Sequence, residues 1–199
     1  MRSASVPVGR PTEVVSTRVA ETEIFGRRWM WSREPISWAL AAETLTWRCP
    51  GATDYWRTTE GLRPVHNGCS LLTRAEADFE LELLVGGEFA ERYDQAGLMV
   101  LASEERWLKA GIEVDGEHWL SAVHTRDESD WSRERWNGSQ ARIRAVRTDG
   151  TIEVSTDESG RWRIFRTLFL PGPVAVGPYS CAPKGAGFEA RASALRLAG

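Results

Sequence analysis

The sequence has few of the residues that crosslink a small protein or hold a metal in it. Its three cysteines, Cys49, Cys69 and Cys181, are odd in number and include no Cys-x-x-Cys pair. Disulfide frameworks and zinc sites need an even or closely spaced set of cysteines. The three histidines also lack the spacing of metal ligands. We therefore expect buried, reduced thiols, no metal and no cofactor.

Long apolar runs and a strong charge bias are also missing. No segment approaches the roughly 20 apolar residues of a membrane span, and residues 1–10 lack the apolar stretch of a secretory signal. The net charge is −3, and the 25 basic residues are scattered along the chain. This pattern disfavours a nucleic-acid-binding or membrane-binding surface. We expect a cytoplasmic protein.

What the chain has in abundance is tryptophan, with ten in 199 residues. Large aromatic side chains fill sandwich cores and also form platforms on which sugar rings stack. From residue 25 onward, short apolar–polar alternations are separated by turn signals such as Asp115-Gly116 and Asp149-Gly150. This pattern predicts an all-β antiparallel sandwich or barrel. We expect an irregular arm over residues 1–24 and one domain over residues 25–199.

The alternating pattern also gives approximate strand positions. Residues 86–94 could hold one short turn of helix. The predicted strands cover residues 28–32, 37–41, 43–49, 69–73, 77–85, 95–102, 106–114, 118–125, 141–148, 151–156, 161–168, 174–181 and 187–197.

Several motifs, taken together, resemble a known family. They include Trp31–Pro35, Thr53–Thr58, Tyr93–Val100, Trp107–Glu113 and Gly187–Glu189. The chain resembles, over about residues 28–197, a family of bacterial and fungal proteins catalogued as a domain of unknown function, which includes the regulation-of-enolase proteins. The resemblance implies a concanavalin A-like jelly-roll sandwich of two antiparallel sheets. It implies no established reaction.

Strand parity brings polar side chains to one face of a sheet. Side chains alternate between faces along a strand, so Trp107, Lys109 and Glu113 share one face of the strand over 106–114, and the apolar residues between them face the core. The next strand depends on its turn. A two-residue turn places His118 beside Glu113, whereas a three-residue turn places Trp119 there and shifts the whole face. We favour the three-residue turn because it keeps the apolar residues of that strand in the core.

The resulting hypothesis is a polar-aromatic site on a concave sheet face. Loops before the strand over 69–73 could close its edge, and Trp107 and Trp56 would stack against a sugar ring. We expect Trp131 to pack against the end of the sandwich, where it could also form a wall of the pocket. The candidate ligand-binding residues are Asp54, Trp56, His66, Asn67, Gln95, Trp107, Lys109, Glu113, Trp119 and Ser121.

Three functions fit this arrangement. The first is lectin-like binding of a carbohydrate or sugar-derived small molecule, since sugar sites combine an aromatic platform with charged and amide groups. The second is a glycosidase or lyase in which Glu113 reacts, held ionised by Lys109. The third is a regulatory protein-interaction domain, and a homodimer is also open. The simplest alternative is structural, an internal ion pair of Lys109 with Glu113 or Asp94.

Overall fold

The computed structural model describes residues 21–24, 26–58 and 63–199. Most of the expected N-terminal arm therefore lies outside the described residues. The last four residues of that arm form a strand, β1. Within the described residues the secondary structure is strand only, and no helix occurs. The helical turn considered for residues 86–94 is absent, because this segment contains the end of one strand followed by a loop.

The described part of the chain contains seventeen strands. They are β1 (Glu21–Ile24), β2 (Arg27–Trp31), β3 (Ser37–Ala41), β4 (Thr44–Arg48), β5 (Tyr55–Trp56), β6 (Val65–His66), β7 (Cys69–Ala75), β8 (Phe79–Gly87), β9 (Gln95–Ser103), β10 (Arg106–Asp115), β11 (Glu117–Arg126), β12 (Glu128–Arg135), β13 (Gln140–Thr148), β14 (Thr151–Glu158), β15 (Arg161–Phe169), β16 (Val174–Cys181) and β17 (Glu189–Ala198).

The strands form two large antiparallel sheets that pack as a sandwich. The eight-stranded sheet has the order β1-β2-β7-β16-β9-β10-β11-β12, and the seven-stranded sheet has the order β15-β14-β13-β8-β17-β4-β3. β5 and β6 pair only with each other. This architecture confirms the predicted all-β sandwich of two antiparallel sheets.

The main core lies between the sheets and contains three fully buried tryptophans, Trp29, Trp31 and Trp47. Inward residues at alternate positions of the central strands, such as Leu81 and Leu83 of β8, fill the rest of it. Burying a large apolar side chain stabilises a fold by about 2 kcal/mol or more. The high tryptophan content is therefore explained in part by the width of this core.

A second, smaller apolar cluster lies on the outer face of the eight-stranded sheet, the face turned away from the other sheet. It contains Met99, Trp107 and Tyr179, and it is covered by Tyr55 of β5. The Tyr55 hydroxyl donates to Gly68 O at 2.8 Å. The β5–β6 hairpin therefore lies across the outer face and carries the preceding loop with it.

β12 was not among the predicted strands. Both alternating sets of positions in this strand carry charge, so apolar–polar alternation does not mark it as a strand. It pairs with β11 at the edge of the sheet, and its Glu134 and Asp130 bind Arg163 and Arg166 of β15. The strand is stabilised by backbone pairing and by these ion pairs, rather than by a buried apolar face.

Candidate functional site

The register of β10 and β11 determines the polar face. Glu113 lies opposite Trp119, Lys109 opposite Val123, and Trp107 opposite Thr125. This is the register predicted for the three-residue turn. On the other side of β10, Glu113 lies opposite Gln95. Trp107, Lys109 and Glu113 therefore share the outer face, as the parity of the strand predicts.

Two facing glycines leave a gap on this face. Gly111, between Lys109 and Glu113, pairs with Gly97 of β9. A Cβ added at Gly111 would lie 2.1 Å from Ala96 O, and one added at Gly97 would lie 2.0 Å from Ala110 O. The close approach of β9 and β10 requires glycine at both positions. As a result, no side chain of β10 separates the lysine from the acid.

Lys109 is buried and forms an ion pair with Asp54, in which Nζ lies 2.9 Å from Oδ1. The loop before β5 places this carboxylate, because the Asp54 N–H donates to Asn67 Oδ1 at 2.8 Å. Burial is the largest single effect and opposes the charge on Lys109, but the neighbouring groups, with Asp54 foremost, together outweigh it and raise the Lys109 pKa. The lysine is therefore a fixed cation on the outer face.

Glu113 is also buried and belongs to a short hydrogen-bond chain. The Trp131 indole N–H donates to Ser121 Oγ at 2.9 Å, and the Ser121 hydroxyl donates to Glu113 Oε2 at 2.8 Å. Burial raises the pKa of Glu113, although Lys109 and Ser121 act in the opposite direction. Burial is the largest effect, so the net shift is upward, while Lys109 acts toward the ionised form as expected. That Lys109 holds Glu113 ionised stays a prediction.

Above these groups lies a cavity of about 300 Å³. Half of the residues proposed from sequence line it, namely Asp54, Trp56, Gln95, Lys109 and Glu113. The other residues that line it were absent from the list of candidate ligand-binding residues, although Trp131 was considered as a wall of the pocket. They are Tyr93, Val123, Trp131, Pro183 and Lys184.

The aromatic wall of the cavity is built around Trp131. Trp56 meets it edge-on with ring centroids 6.2 Å apart, and Tyr93 does so at 6.5 Å. The Arg133 guanidinium lies 4.7 Å from the centre of the Trp131 ring. Trp131 is still 37% exposed, so a ligand can reach part of the indole. Trp131 therefore lines the cavity, as one of its two expected placements allows.

Both lysines of the chain line this cavity. The sequence contains 25 basic residues, of which Lys109 and Lys184 are the only lysines. Lys184 is exposed at the cavity, whereas Lys109 is buried. A lysine presents three N–H donors on a flexible stem, whereas arginine presents a rigid planar fork. Amine donors are therefore concentrated where a ligand would bind.

The proposed stacking role of Trp107 is wrong. Its side chain is fully buried, and it packs against Tyr55 with ring centroids 6.0 Å apart. Trp119 is also outside the cavity lining, and its ring stacks on the Arg133 guanidinium at 4.4 Å. Strand parity predicts the face of a residue but not what covers it. The β5–β6 hairpin covers Trp107.

Three further candidates support the site without lining the cavity. Asn67 fixes the backbone at Asp54, and its Nδ2 donates to Ala52 O at 3.1 Å. Ser121 links Trp131 to Glu113. His66 packs against Tyr55 with ring centroids 4.8 Å apart, and burial lowers its pKa. These residues support the site and do not line the cavity. Their contact with a ligand stays a prediction.

The alternative of an internal ion pair is correct in kind but not in its partners. Lys109 pairs with Asp54, not with Glu113 or Asp94. Asp94 is used elsewhere, because its Oδ2 accepts the backbone N–H groups of Ala90 and Glu91 at 2.9 Å. In the described part of the chain, no group of three or more His, Cys, Asp or Glu side chains could hold a metal ion.

Some of the missed residues carried a signal in the sequence. Val123 has the same strand parity as Ser121, and Tyr93 begins one of the motifs quoted above. Pro183 and Lys184 follow β16 in a loop, and their position depends on tertiary structure. The N–H of Ala182 donates to Thr53 Oγ1 at 2.9 Å, which joins the start of this loop to the one that carries Asp54.

The fold and site together define a concanavalin A-like β-sandwich with a polar-aromatic cavity on its outer face. The chain belongs to the family described as "Protein of unknown function (DUF1349)", whose model matches residues 31–199. It is 33% identical over 166 residues to "Regulation of enolase protein 1" of Saccharomyces cerevisiae, across 80% of this chain and 83% of that protein.

Solved structures are similar as well. A functionally unknown protein from Saccharomyces cerevisiae is 30% identical with a TM-score of 0.81, covering 85% of this chain and 95% of that one. A GH43 protein from Bacillus licheniformis is 14% identical with a TM-score of 0.69, covering 85% of this chain and 36% of that one. A xylan beta-1,4-xylosidase from Bacillus halodurans has 14% identity, a TM-score of 0.70, and coverage of 95% and 41%. The two enzymes share the fold with this chain across less than half of their length.

Proposed function

We propose that the cavity binds a sugar or a sugar-derived metabolite, as a lectin-like module does. The observation that carries the proposal is the placement of buried Lys109 and Glu113 beneath a partly exposed Trp131 in one cavity of about 300 Å³. That volume is at the lower end of the range for small-molecule sites. It suits one or two sugar rings better than a long chain.

The chemistry of the lining favours a polyol. Lys109 and Gln95 can donate hydrogen bonds, while Asp54 and Glu113 can accept them, so adjacent hydroxyls would find partners of both kinds. Trp131 and Trp56 supply apolar surface for the C–H face of a ring. The sandwich also occurs within chains described as a GH43 protein and a xylan beta-1,4-xylosidase. This likeness of fold supports a carbohydrate as the ligand class.

We favour binding of the ligand without catalytic turnover over an enzymatic role. The name of the relative that is 33% identical refers to regulation of enolase. A protein with a regulatory role could sense a metabolite without converting it. The Lys109–Asp54 pair, fixed by several hydrogen bonds, also suits a preformed site that recognises its ligand.

Calorimetric titration with neutral hexoses and pentoses, hexuronates and hexose phosphates tests the proposal. We expect at least one of these compounds to bind, and we expect Trp131→Ala to weaken binding about tenfold or more, which corresponds to loss of a stacking contact. Trp162→Ala is the matched control. Trp162 also stacks on an arginine, with its ring centre 4.2 Å from the Arg144 guanidinium, but it belongs to β15 on the other sheet. Absence of binding by the whole panel, or equal binding by both variants, would overturn the proposal.

A second candidate is a glycosidase or lyase, and the raised pKa of Glu113 beside a second carboxylate in the cavity favours it. A buried acid with a raised pKa can donate a proton to a leaving group, and a second carboxylate, Asp54, lines the same cavity. Chromogenic glycosides assayed with wild type and Glu113→Gln separate this candidate from simple binding. Turnover that disappears in Glu113→Gln would support it. Absent turnover in wild type, or unchanged turnover in the variant, would remove it.

A further inference from the structure

The sandwich ends in four edge strands among the described residues. β1 and β12 are the edges of the eight-stranded sheet, and β15 and β3 are the edges of the seven-stranded sheet. An edge strand presents unpaired backbone N–H and C=O groups, so it can pair with another chain unless charge, proline or a covering segment prevents this. The four edges differ in this protection.

Three of the edges carry charged residues. The sequence of β1 includes two glutamates, and β12 and β15 each contain several charges. β12 and β15 are also linked to each other, through the Arg163–Glu134 and Arg166–Asp130 ion pairs. These charges make pairing with a further strand unfavourable at those edges.

Among the residues that the structure describes, β3 has no such protection. Its sequence, Ser-Trp-Ala-Leu-Ala, has no charge and no proline, and four of its five residues are exposed. Ile36, just before the strand, is 61% exposed and Leu40 is 40% exposed. Ile36, Trp38 and Leu40 share one parity. Trp38 packs against Trp31 of the main core, with ring centroids 6.3 Å apart, so the apolar row of β3 continues the core out to the open edge.

We propose that β3 pairs with the same strand of a second copy of this chain, antiparallel and about a two-fold axis at Ala39. Ala39 is the middle residue of Ser37–Ala41, so this register uses the whole strand. Trp38 then faces the partner's Leu40, and Ser37 faces the partner's Ala41. The two seven-stranded sheets would become one continuous sheet.

A second copy is the occupant that the sequence of this edge fits best. An uncharged strand can lie against itself without opposing like charges, which are unfavourable in cross-strand pairs. Two-fold symmetry also brings the apolar rows of both copies together on the inner face, and this covers the exposed side chains at positions 36 and 40. Interfaces in which one patch meets itself are the commonest arrangement in homodimers. The dimer does not depend on any ligand in the cavity.

Sedimentation velocity of the full chain over a range of concentrations tests the proposal. Wild type should form a dimer as concentration rises. Ala39→Lys and Ala39→Glu should each raise the dimer dissociation constant by about tenfold or more, because position 39 faces itself across the axis. An equal mixture of the two variants should recover the dimer, since each introduced charge would then face its opposite. Ile164→Lys is the control, because Ile164 is 50% exposed on β15 at the far edge of the same sheet.

Each outcome decides the proposal. A wild type that stays monomeric at every concentration would overturn it, even if an extended peptide of another protein binds this edge. A dimer that persists in both Ala39 variants, or a mixture that fails to recover it, would also overturn it. Thermal unfolding confirms that the variants fold. If Ala39→Lys does not fold, Ala41→Glu tests the same edge at an exposed position.

Discussion

Lys109 and Asp54, which are 55 positions apart in the sequence, form an ion pair of 2.9 Å across the outer face of the sheet. The lysine side chain is 3% exposed and the aspartate 23%. The buried Lys109 charge therefore depends on its partner for stabilisation far more than the Asp54 charge does. Asp54 would keep the Tyr55 N–H, which donates to its Oδ1 at 2.8 Å, and its contact with water.

This asymmetry predicts unequal costs for removing the two partners. Asp54→Ala leaves an unpaired buried ammonium and should lower the free energy of unfolding by about 3 kcal/mol. Lys109→Met fills a similar volume and should cost about 1 kcal/mol, because a partly solvated carboxylate remains. Urea unfolding measures both, and the double variant should be more stable than Asp54→Ala alone. Equal costs for the two single variants would contradict the described burial of the pair.

Trp107 and Trp131 both lie on the outer face, but their replacement should affect stability to different extents. Trp107 is fully buried, so Trp107→Ala should lower the free energy of unfolding by about 4 kcal/mol. Trp131 is 37% exposed, so Trp131→Ala should cost about 1 kcal/mol, mainly through its lost contacts with Arg133 and Ser121. Urea unfolding of both variants checks this. A large loss of unfolding free energy in Trp131→Ala together with a small loss in Trp107→Ala would contradict the finding that Trp107 is the covered ring.

The glycine pair gives a further prediction about the outer face. Gly111→Ala places a methyl group 2.1 Å from Ala96 O, so β9 and β10 must separate. The free energy of unfolding should fall by about 2 kcal/mol or more. Gly138→Ala is the control, because its nearest neighbour, Trp136 Nε1, is at 3.3 Å and belongs to a side chain. It should cost less than about 1 kcal/mol. Similar melting temperatures for the two variants would argue against the close approach of the strands.

The protonation of Glu113 predicts a pH-dependent stability. The folded protein raises the Glu113 pKa above its ordinary value of 4.5, because the group is buried. The folded state therefore binds this proton more tightly than the unfolded chain. The resulting stabilisation is present below pH 4.5 and is lost as the pH rises through the folded pKa. Lys109, Asp54 and Arg133 are the charged groups that act on it.

Glu113→Gln keeps an acceptor for the Ser121 hydroxyl but removes the titration. Relative to wild type, this variant should therefore gain stability as the pH increases from about 4 to about 8. Melting temperatures of both proteins over that range provide the measurement. Two parallel curves would mean that Glu113 titrates in the folded protein as it does in the unfolded chain.

Much of the fold could be predicted from the sequence, because most strands have one apolar face toward a core. The β10–β11 register followed from keeping Leu120 and Ala122 buried. β12 has no such face, and β5 and β6 are two residues each, too short for a periodic pattern. Local alternation therefore predicts the sheets well but not the strand at their charged edge or the hairpin across the outer face.

The candidate site was only partly predictable, for the same reason. Parity placed Lys109 and Glu113 together, because both lie on one strand. It could not show that Tyr55 covers Trp107, or that Asp54 reaches Lys109 from a distant loop. Nor could parity predict that Lys184 lies at the cavity, because the position of Lys184 depends on the path of the loop after β16. Side-chain contacts between loops depend on tertiary packing, and no periodic pattern in the sequence predicts them.

The most direct measurement of the binding proposal is a nuclear magnetic resonance titration that follows the indole N–H signals of the ten tryptophans. The titrant is the sugar from the calorimetric panel that binds best. The signals of Trp131 and Trp56, which line the cavity, should shift in proportion to occupancy, while those of Trp162 and the core residue Trp47 stay in place. Shifts confined to tryptophans outside the cavity, or no shift with any sugar of the panel, would contradict the proposal.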